Sequence, residues 1–318
     1  MFKIRTLQLS DFERLKIEIK DPSPDFLQVS SPQKFLYTIQ SIIPHTLRTS
    51  PSIHLAVDGK SFLGFIALCS ISKPNNCWQI QKVYVPDEIR NKGIGEELLR
   101  YVISVYGGYG IEHFLAEINS DNFPALSLFH QCGFRRYAKV YFYEKEFETE
   151  TLNFTLLDRD FTFRPQNKND LPEIEKLELA IIPPDLRPAL GRSRDYFRDK
   201  KNVIVLVDQT RNLVIGWAQI QEMRIDDYFI ELLINPGWSH LYEQFLSTII
   251  CDYLAPKSKK LKLTIKAVDY VTELAEILTK SGFVAVTVKE LLVRTIWQKV
   301  KERKKKMAKL GAPSIAPT

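Results

Sequence analysis

One stretch of this 318-residue chain carries residue types that bind anions: Gln81-Lys-Val-Tyr-Val-Pro-Asp-Glu-Ile-Arg90-Asn-Lys-Gly-Ile-Gly95. The run to Val85 predicts a strand, and a helix is expected from Gly93. Arg90, Asn91, Lys92, Gly93, Ile94 and Gly95 then form the turn between them. Glycines permit positive φ and let a ligand approach the backbone closely. Free N–H groups at a helix start, with the helix dipole behind them, make a nest for an anion. Each hydrogen bond to a charged oxygen contributes about 1.5–3 kcal/mol, so three or four such amides hold a pyrophosphate. The spacing is neither GxxxxGK[ST] nor GxGxxG. The plain alternative is a Gly-rich turn with a solvated Arg90 and Lys92.

The elements around this turn form a series that occurs twice. Phe2-Lys-Ile-Arg5 and Asp11-Phe-Glu-Arg-Leu15 resemble Phe161-Thr-Phe-Arg164 and Asp170-Leu-Pro-Glu-Ile174 at an offset of 159. Leu63-Gly64-Phe65-Ile66 resembles Ile215-Gly216-Trp217-Ala218, and Cys132-Gly133-Phe134 resembles Ser281-Gly282-Phe283. Such long-period similarity points to duplication. The first copy predicts strand 2–9, a helix from Asp11, helix 31–43, strands 52–58, 62–73 and 77–85, helix 93–105, strand 112–118, helix 124–131 and strand 134–145. The second predicts strand 161–165, helix 170–181, strands 203–208, 213–224 and 227–234, helix 239–254, strand 261–267, helix 271–280 and strand 283–296. Interleaved strands and helices make the fold class α/β, with an α+β mixed sheet in each copy. The expected division is a domain at 1–148, a linker at 149–160, a second domain at 161–297 and a tail at 298–318.

Arg90-x-x-Gly93-x-Gly95 after Val83-Tyr84-Val85-Pro86 resembles the acetyl-CoA signature of the GNAT-type N-acetyltransferase superfamily. Ala116-Glu117-Ile118, Asn122-x-x-Ala125-x-x-Leu128-Phe129 and Gly133-Phe134 resemble its second signature. The resemblance is strong over residues 2–147 and weak over 161–297. It implies two domains, each a partly splayed mixed sheet flanked by helices. It also implies acetyl-CoA as co-substrate, its pantetheine along Val83, Tyr84 and Val85 and its pyrophosphate on the amides of Arg90 to Gly95. An amine of unknown identity, small molecule or protein, then attacks the thioester directly in a ternary complex. Glu117 matches the Glu that serves some members as base through water; otherwise it is a strand carboxylate paired with a cation. Asn122 matches the Asn that orients the pantetheine or the base; otherwise it caps a helix. Phe129 stands where the family has Tyr, the acid for the leaving thiolate, and Phe has no O–H. Tyr84, Tyr137, Tyr141 and Tyr143 are the possible substitutes. His130, beside Phe129, reads as a surface helix residue.

In the second copy, Asn235-Pro-Gly237-Trp238-Ser-His-Leu-Tyr242 replaces the anion turn with one glycine and no Lys or Arg, so this copy is expected to have lost CoA. Glu18, Asp21 and Asp25 lie near the expected acceptor site. Arg192, Arg194 and Arg198 read as a basic patch or, more commonly, a solvated helix face.

The formal charge of +6 sits in the tail, where Lys299, Lys301, Arg303, Lys304, Lys305, Lys306 and Lys309 face only Glu302. The rest of the chain carries 37 basic and 37 acidic residues. Nucleic-acid contact is therefore expected only through residues 298–309, if at all. An acyl-CoA-binding regulator without catalysis, or an RNA- or ribosome-associated protein, are the alternative functions. Hydrophobic residues at 45% and charged residues at 26% fit an ordinary globular chain. The longest apolar stretch, Phe62 to Ile71, is short of the roughly 20 residues that cross a membrane. Cys69, Cys77, Cys132 and Cys251 have no paired spacing, which suggests free thiols in a reducing cytoplasm and no metal site.

Overall fold

The computed structural model describes residues 2–19, 52–59, 61–71, 77–148, 160–192, 194–254 and 260–296. The expected helix at 31–43, Asp21, Asp25, most of the linker and the basic tail lie outside these residues. The first copy runs β1 (Lys3–Thr6), α1 (Asp11–Glu18), β2 (Ser52–Asp58), β3 (Ser61–Ser70), β4 (Cys77–Tyr84), α2 (Ile94–Gly108), β5 (His113–Asn119), α3 (Phe123–Gln131) and β6 (Arg135–Glu148). The second runs β7 (Phe161–Pro165), α4 (Leu171–Ile181), α5 (Arg187–Leu190), α6 (Arg194–Arg198), β8 (Val203–Asp208), β9 (Leu213–Arg224), β10 (Asp227–Ile234), α7 (Tyr242–Thr248), β11 (Lys260–Val268), α8 (Thr272–Lys280) and β12 (Val284–Thr295). The expected helix at 239–254 is a 3-10 turn, then α7, then a π-helical stretch at Ile249–Leu254.

All twelve strands form one mixed sheet, ordered β1-β2-β3-β4-β5-β12-β6-β11-β10-β9-β8-β7. The copies exchange their last strands. β12, which ends the second copy, lies between β5 and β6, and β6, which ends the first, pairs with β11. The exchange is near-symmetric. Glu117 stands opposite Leu291 and Lys266 opposite Phe142, each pair being the other shifted by 149 positions. Val140 pairs with Lys289, also 149 apart, so the pseudo-twofold passes between them.

Apolar spacing sets the layers. On α2, Leu98, Leu99, Val102, Ile103 and Tyr106 recur at helical period and are buried against Trp78, Ile80, Phe114 and Ala116. Burying each such side chain contributes roughly 1.5–3 kcal/mol. The second copy packs α7 and α8 against its sheet through Phe245, Leu246, Leu274 and Leu278. On the opposite face, α1 covers Ile53, Leu55 and Phe65, and α4 covers Val205, Val207 and Trp217. Ala189 and Leu190 of α5 close over Leu115, Ala138 and Leu291, joining the two copies.

The duplicated Arg and Asp build the same corner twice. Arg5 and Asp11 form two hydrogen bonds of 2.7 Å, as do Arg164 and Asp170. The amides of Gln8 and Asn167 complete each corner at 2.7 Å.

Candidate active site

The parallel strands β4 and β5 pair only from Cys77 to Ile80 and from His113 to Ala116, then separate. A β-bulge marks the point. Lys82 faces Ala67 and Ile80 faces Leu68, which leaves Gln81 as the extra residue. A bulge bends its strand and breaks the ladder, so Val83, Tyr84 and Val85 leave β5. Gly64 on β3 admits this path: a Cβ there would lie 2.5 Å from the Tyr84 carbonyl oxygen.

A short 3-10 turn at Asp87–Ile89 follows, and α2 starts after Gly93, whose φ is 79°. Asn91 also has positive φ, 62°. The first backbone bond of the helix runs from the Glu97 N–H to the Gly93 carbonyl at 3.0 Å. Among the described residues, no backbone carbonyl accepts the N–H groups of Asn91 to Glu96. Asn91, Lys92 and Gly93 are exposed and Gly95 half-buried. Arg90 is tied down by Asp87 at 2.6 Å and by the Val85 carbonyl at 3.2 Å. The donor set suits an oxyanion chain such as a pyrophosphate.

The other predicted residues do not all gather at this opening. Asn122 caps α3, its Oδ1 accepting from the Ala125 N–H at 3.1 Å. Phe129 is buried edge-on to Phe134, with centroids 4.9 Å apart. Tyr84 stacks on Phe65 on the α1 side; burial first, then Asp87 and Glu88, push its hydroxyl pKa up. Tyr141 and Tyr143 pack in the second copy's core, a consequence of the strand exchange. Tyr137 is exposed, and so is His130, whose Nδ1 lies 3.1 Å from the Phe134 carbonyl.

Glu117 lies one residue past the last β4–β5 pair and shares a face of the sheet with Leu115. Lys266 donates to its Oε1 at 2.7 Å. The cation partner therefore exists, and it comes from the pseudo-equivalent position of the other copy. Strands sit about 4.8 Å apart, so the two side chains reach across β12 and β6 to meet.

Both line a cavity of about 350 Å³. Its far wall holds a network the sequence does not announce. Arg192 donates to Glu178 at 2.6 Å, to Glu231 at 2.7 Å and to the Tyr196 hydroxyl at 2.9 Å. The three arginines are therefore no basic patch. Arg192 is largely buried, while Arg194 and Arg198 are surface residues paired with Glu175 and Asp195. Burial raises the Glu178 pKa, against Arg192, which lowers it. For Glu231 burial also acts upward, but Arg192, Lys266 and Lys200 together hold its carboxyl below the usual range. A larger hollow of about 730 Å³ lies wholly within residues 165–253, is lined by Arg198 and Lys200 among others, and touches none of the predicted cofactor-binding or catalytic residues.

The second copy differs at each step. β9 and β10 pair in regular register from Tyr228 to Ile234, with no bulge at Glu231, and β10–β11 pairing extends to Glu231–Lys266. Its turn uses its own amides: Gly237 donates to Asn235 Oδ1 at 3.1 Å and Trp238 to the Asn235 carbonyl at 2.7 Å.

Residues 15–134 match the family model for the acetyltransferase (GNAT) family. The fold of the whole chain is that of solved structures made of GNAT domains. A GCN5-related N-acetyltransferase from Sphaerobacter thermophilus aligns over 92% of this chain and 95% of its own, with 14% identity and a TM-score of 0.59. A tandem GNAT protein from the clavulanic acid biosynthesis pathway aligns over 93% and 98%, with 11% identity and a TM-score of 0.55. A GCN5-related glucosamine N-acetyltransferase region of a fungal multi-domain β-N-acetylglucosaminidase aligns over 92% of this chain and 38% of its own, with 12% identity and a TM-score of 0.62. No curated protein matches the sequence. Among the described residues, no helix is long and apolar enough to cross a membrane, and no cluster of His, Cys, Asp and Glu could hold a metal.

Proposed function

We propose that the first copy transfers an acetyl group from acetyl-CoA to an amine. The observation that carries this reading is the row of N–H groups from Asn91 to Glu96 without backbone acceptors, directly after the bulge that parts β4 from β5. Those amides bind the pyrophosphate, and the free edge of Val83 to Val85 receives the pantetheine arm. Acetyl-CoA supplies a thioester, whose carbonyl is polarised by backbone N–H near Val83. The amine nitrogen attacks the carbonyl carbon, the C–N bond forms and the C–S bond breaks. Glu117 takes the proton leaving nitrogen, directly or through water. The departing thiolate takes its proton from water, because Phe129 has none to give.

Titration of the intact protein with CoA tests the assignment. One CoA per chain is expected, with affinity at least tenfold weaker in Gly95→Asp and unchanged in Gly237→Asp. Undiminished binding in a folded Gly95→Asp variant would refute it. A second reading, CoA binding without turnover, is favoured by the Lys266 ammonium that already occupies Glu117. An acetyl-CoA consumption screen over amine classes separates the two.

A further inference from the structure

The 350 Å³ cavity reaches both copies and begins where β4 and β5 part, since Gln79, Leu115 and Glu117 form its near wall. Most of the remaining wall comes from the second copy. That copy's own donor side is shut: Tyr242 is buried and the Asn235 turn consumes its amides. A molecule in the cavity therefore faces one donor edge, that of the first copy.

Its lining carries both signs. Glu117, Glu178 and Glu231 stand with Arg192, Lys200 and Lys266. Two positions in this set are open to a ligand group. Glu178 is only 2% exposed, and its Oε2 has no hydrogen-bond partner. Lys200 lies 4.2 Å over the Tyr196 ring, half-buried, and its charge acts on Glu231. A buried polar atom without a partner is costly, so Glu178 calls for a donor, and a ligand that brings one can set an anion against the half-buried Lys200. A lining with equal numbers of each charge suits neither a polyamine nor a polyanion. The volume is at the small end of ligand sites.

We propose that this cavity is the acceptor site and takes a small zwitterionic amine of the free amino acid class, bound chiefly by the second copy and acetylated from the first. The proposal rests on the acetyl-transfer reading above. The ammonium group is held among Glu117 and Glu178, and the carboxylate reaches Lys200. After the ammonium loses one proton to solvent, the nitrogen attacks the thioester carbon. Its second proton passes to Glu117 as the C–S bond breaks, and the thiolate is protonated by water.

The test uses the full chain and four probe sets: the twenty free L-amino acids, spermidine, glucosamine and an unblocked hexapeptide. Each is assayed for acetylation with acetyl-CoA and titrated calorimetrically without it. At least one amino acid should be bound and acetylated. Lys200→Met should raise its KM tenfold or more, change kcat less than threefold and leave CoA affinity intact. Glu178→Gln, if folded, should weaken the same amino acid. Acetylation confined to spermidine, glucosamine or the peptide overturns the proposal, as does a KM unmoved by Lys200→Met, or no binding of any amino acid. Failure of CoA to bind the intact protein refutes the acetyl-transfer reading instead, and the calorimetric arm still judges the cavity.

Discussion

The two copies share a frame and differ at one crossing of strand and helix. Both build the Arg–Asp corner with the same 2.7 Å bonds, and both carry a shift between the second and third strands, at Ala56/Val57 and Leu206/Val207. In the first, a bulge and two positive-φ residues turn amides outward. In the second, regular pairing and the Asn235 side chain turn them inward. The second copy lacks the bulge, the paired glycines and the basic residues, and its Asn235 side chain satisfies an amide of the turn itself. The second copy has kept its other face, where α4 and the segment after α5 place Glu178 and Arg192 against β10.

The largest effect is expected from separating the copies. Fragment 1–148 would lack β12 beside β5, and fragment 161–318 would lack β6 beside β11. Each would expose a long apolar sheet edge, an aggregation hazard. Neither is expected to form a cooperative monomer. Co-expressed, they should assemble one to one, by size exclusion and circular dichroism. A monomeric, cooperatively melting 1–148 would show that the strand exchange is dispensable.

Next in size is Glu117→Gln. Loss of a general base typically costs 10²–10⁴-fold, so turnover should fall about a hundredfold or more near pH 7. It should recover partly as pH rises and free amine becomes abundant. Full activity at pH 7 with a confirmed acceptor would remove Glu117 from the chemistry and leave it as the partner of Lys266. Smaller again is Gly95→Asp, expected to weaken CoA at least tenfold, about 1.4 kcal/mol. A Cβ there would also press Leu128 Cδ2, 3.1 Å away. At Gly237 the same change meets only Asn235 Oδ1 at 3.6 Å and should leave CoA affinity unchanged.

What was legible in the sequence follows from what is local. Gly93 and Gly95 announced a turn because positive φ and close approach demand glycine, and the strands of both copies alternate or run apolar as their burial requires. The exchange was hidden because β6 and β12 present similar apolar residues to either neighbour, and pairing partners leave no local mark. Tyr141 and Tyr143 therefore read from the sequence as substitutes for the acid missing at Phe129, although they pack in the second copy's core. Arg192 looked like its neighbours Arg194 and Arg198, since burial depends on Glu178 and Glu231, which lie 14 and 39 positions away. The bulge at Gln81 depends on pairing with β3 and has no residue signature of its own.

The mildest test compares the duplicated corners. Asp170 is buried, which opposes its charge, but Arg164 and the Asn167 amide hold its carboxyl below the usual range. A carboxylate with a lowered folded pKa stabilises the fold above its unfolded value, near pH 4, and loses that contribution as pH falls through the folded value. Asp170→Asn should therefore cost about 1.5–3 kcal/mol at pH 7, the range for hydrogen bonds to a charged group. The cost should shrink as pH falls below 4 and through the lowered folded value. Urea melts across this range measure it. Asp11→Asn breaks the same geometry in the first copy, where Arg5 donates the same pair of 2.7 Å bonds. Equal losses would mean that the corner does one structural job in both copies. A loss confined to Asp11→Asn would mean that the first copy leans on its corner more, as expected if α1 must stay fixed beside a working site.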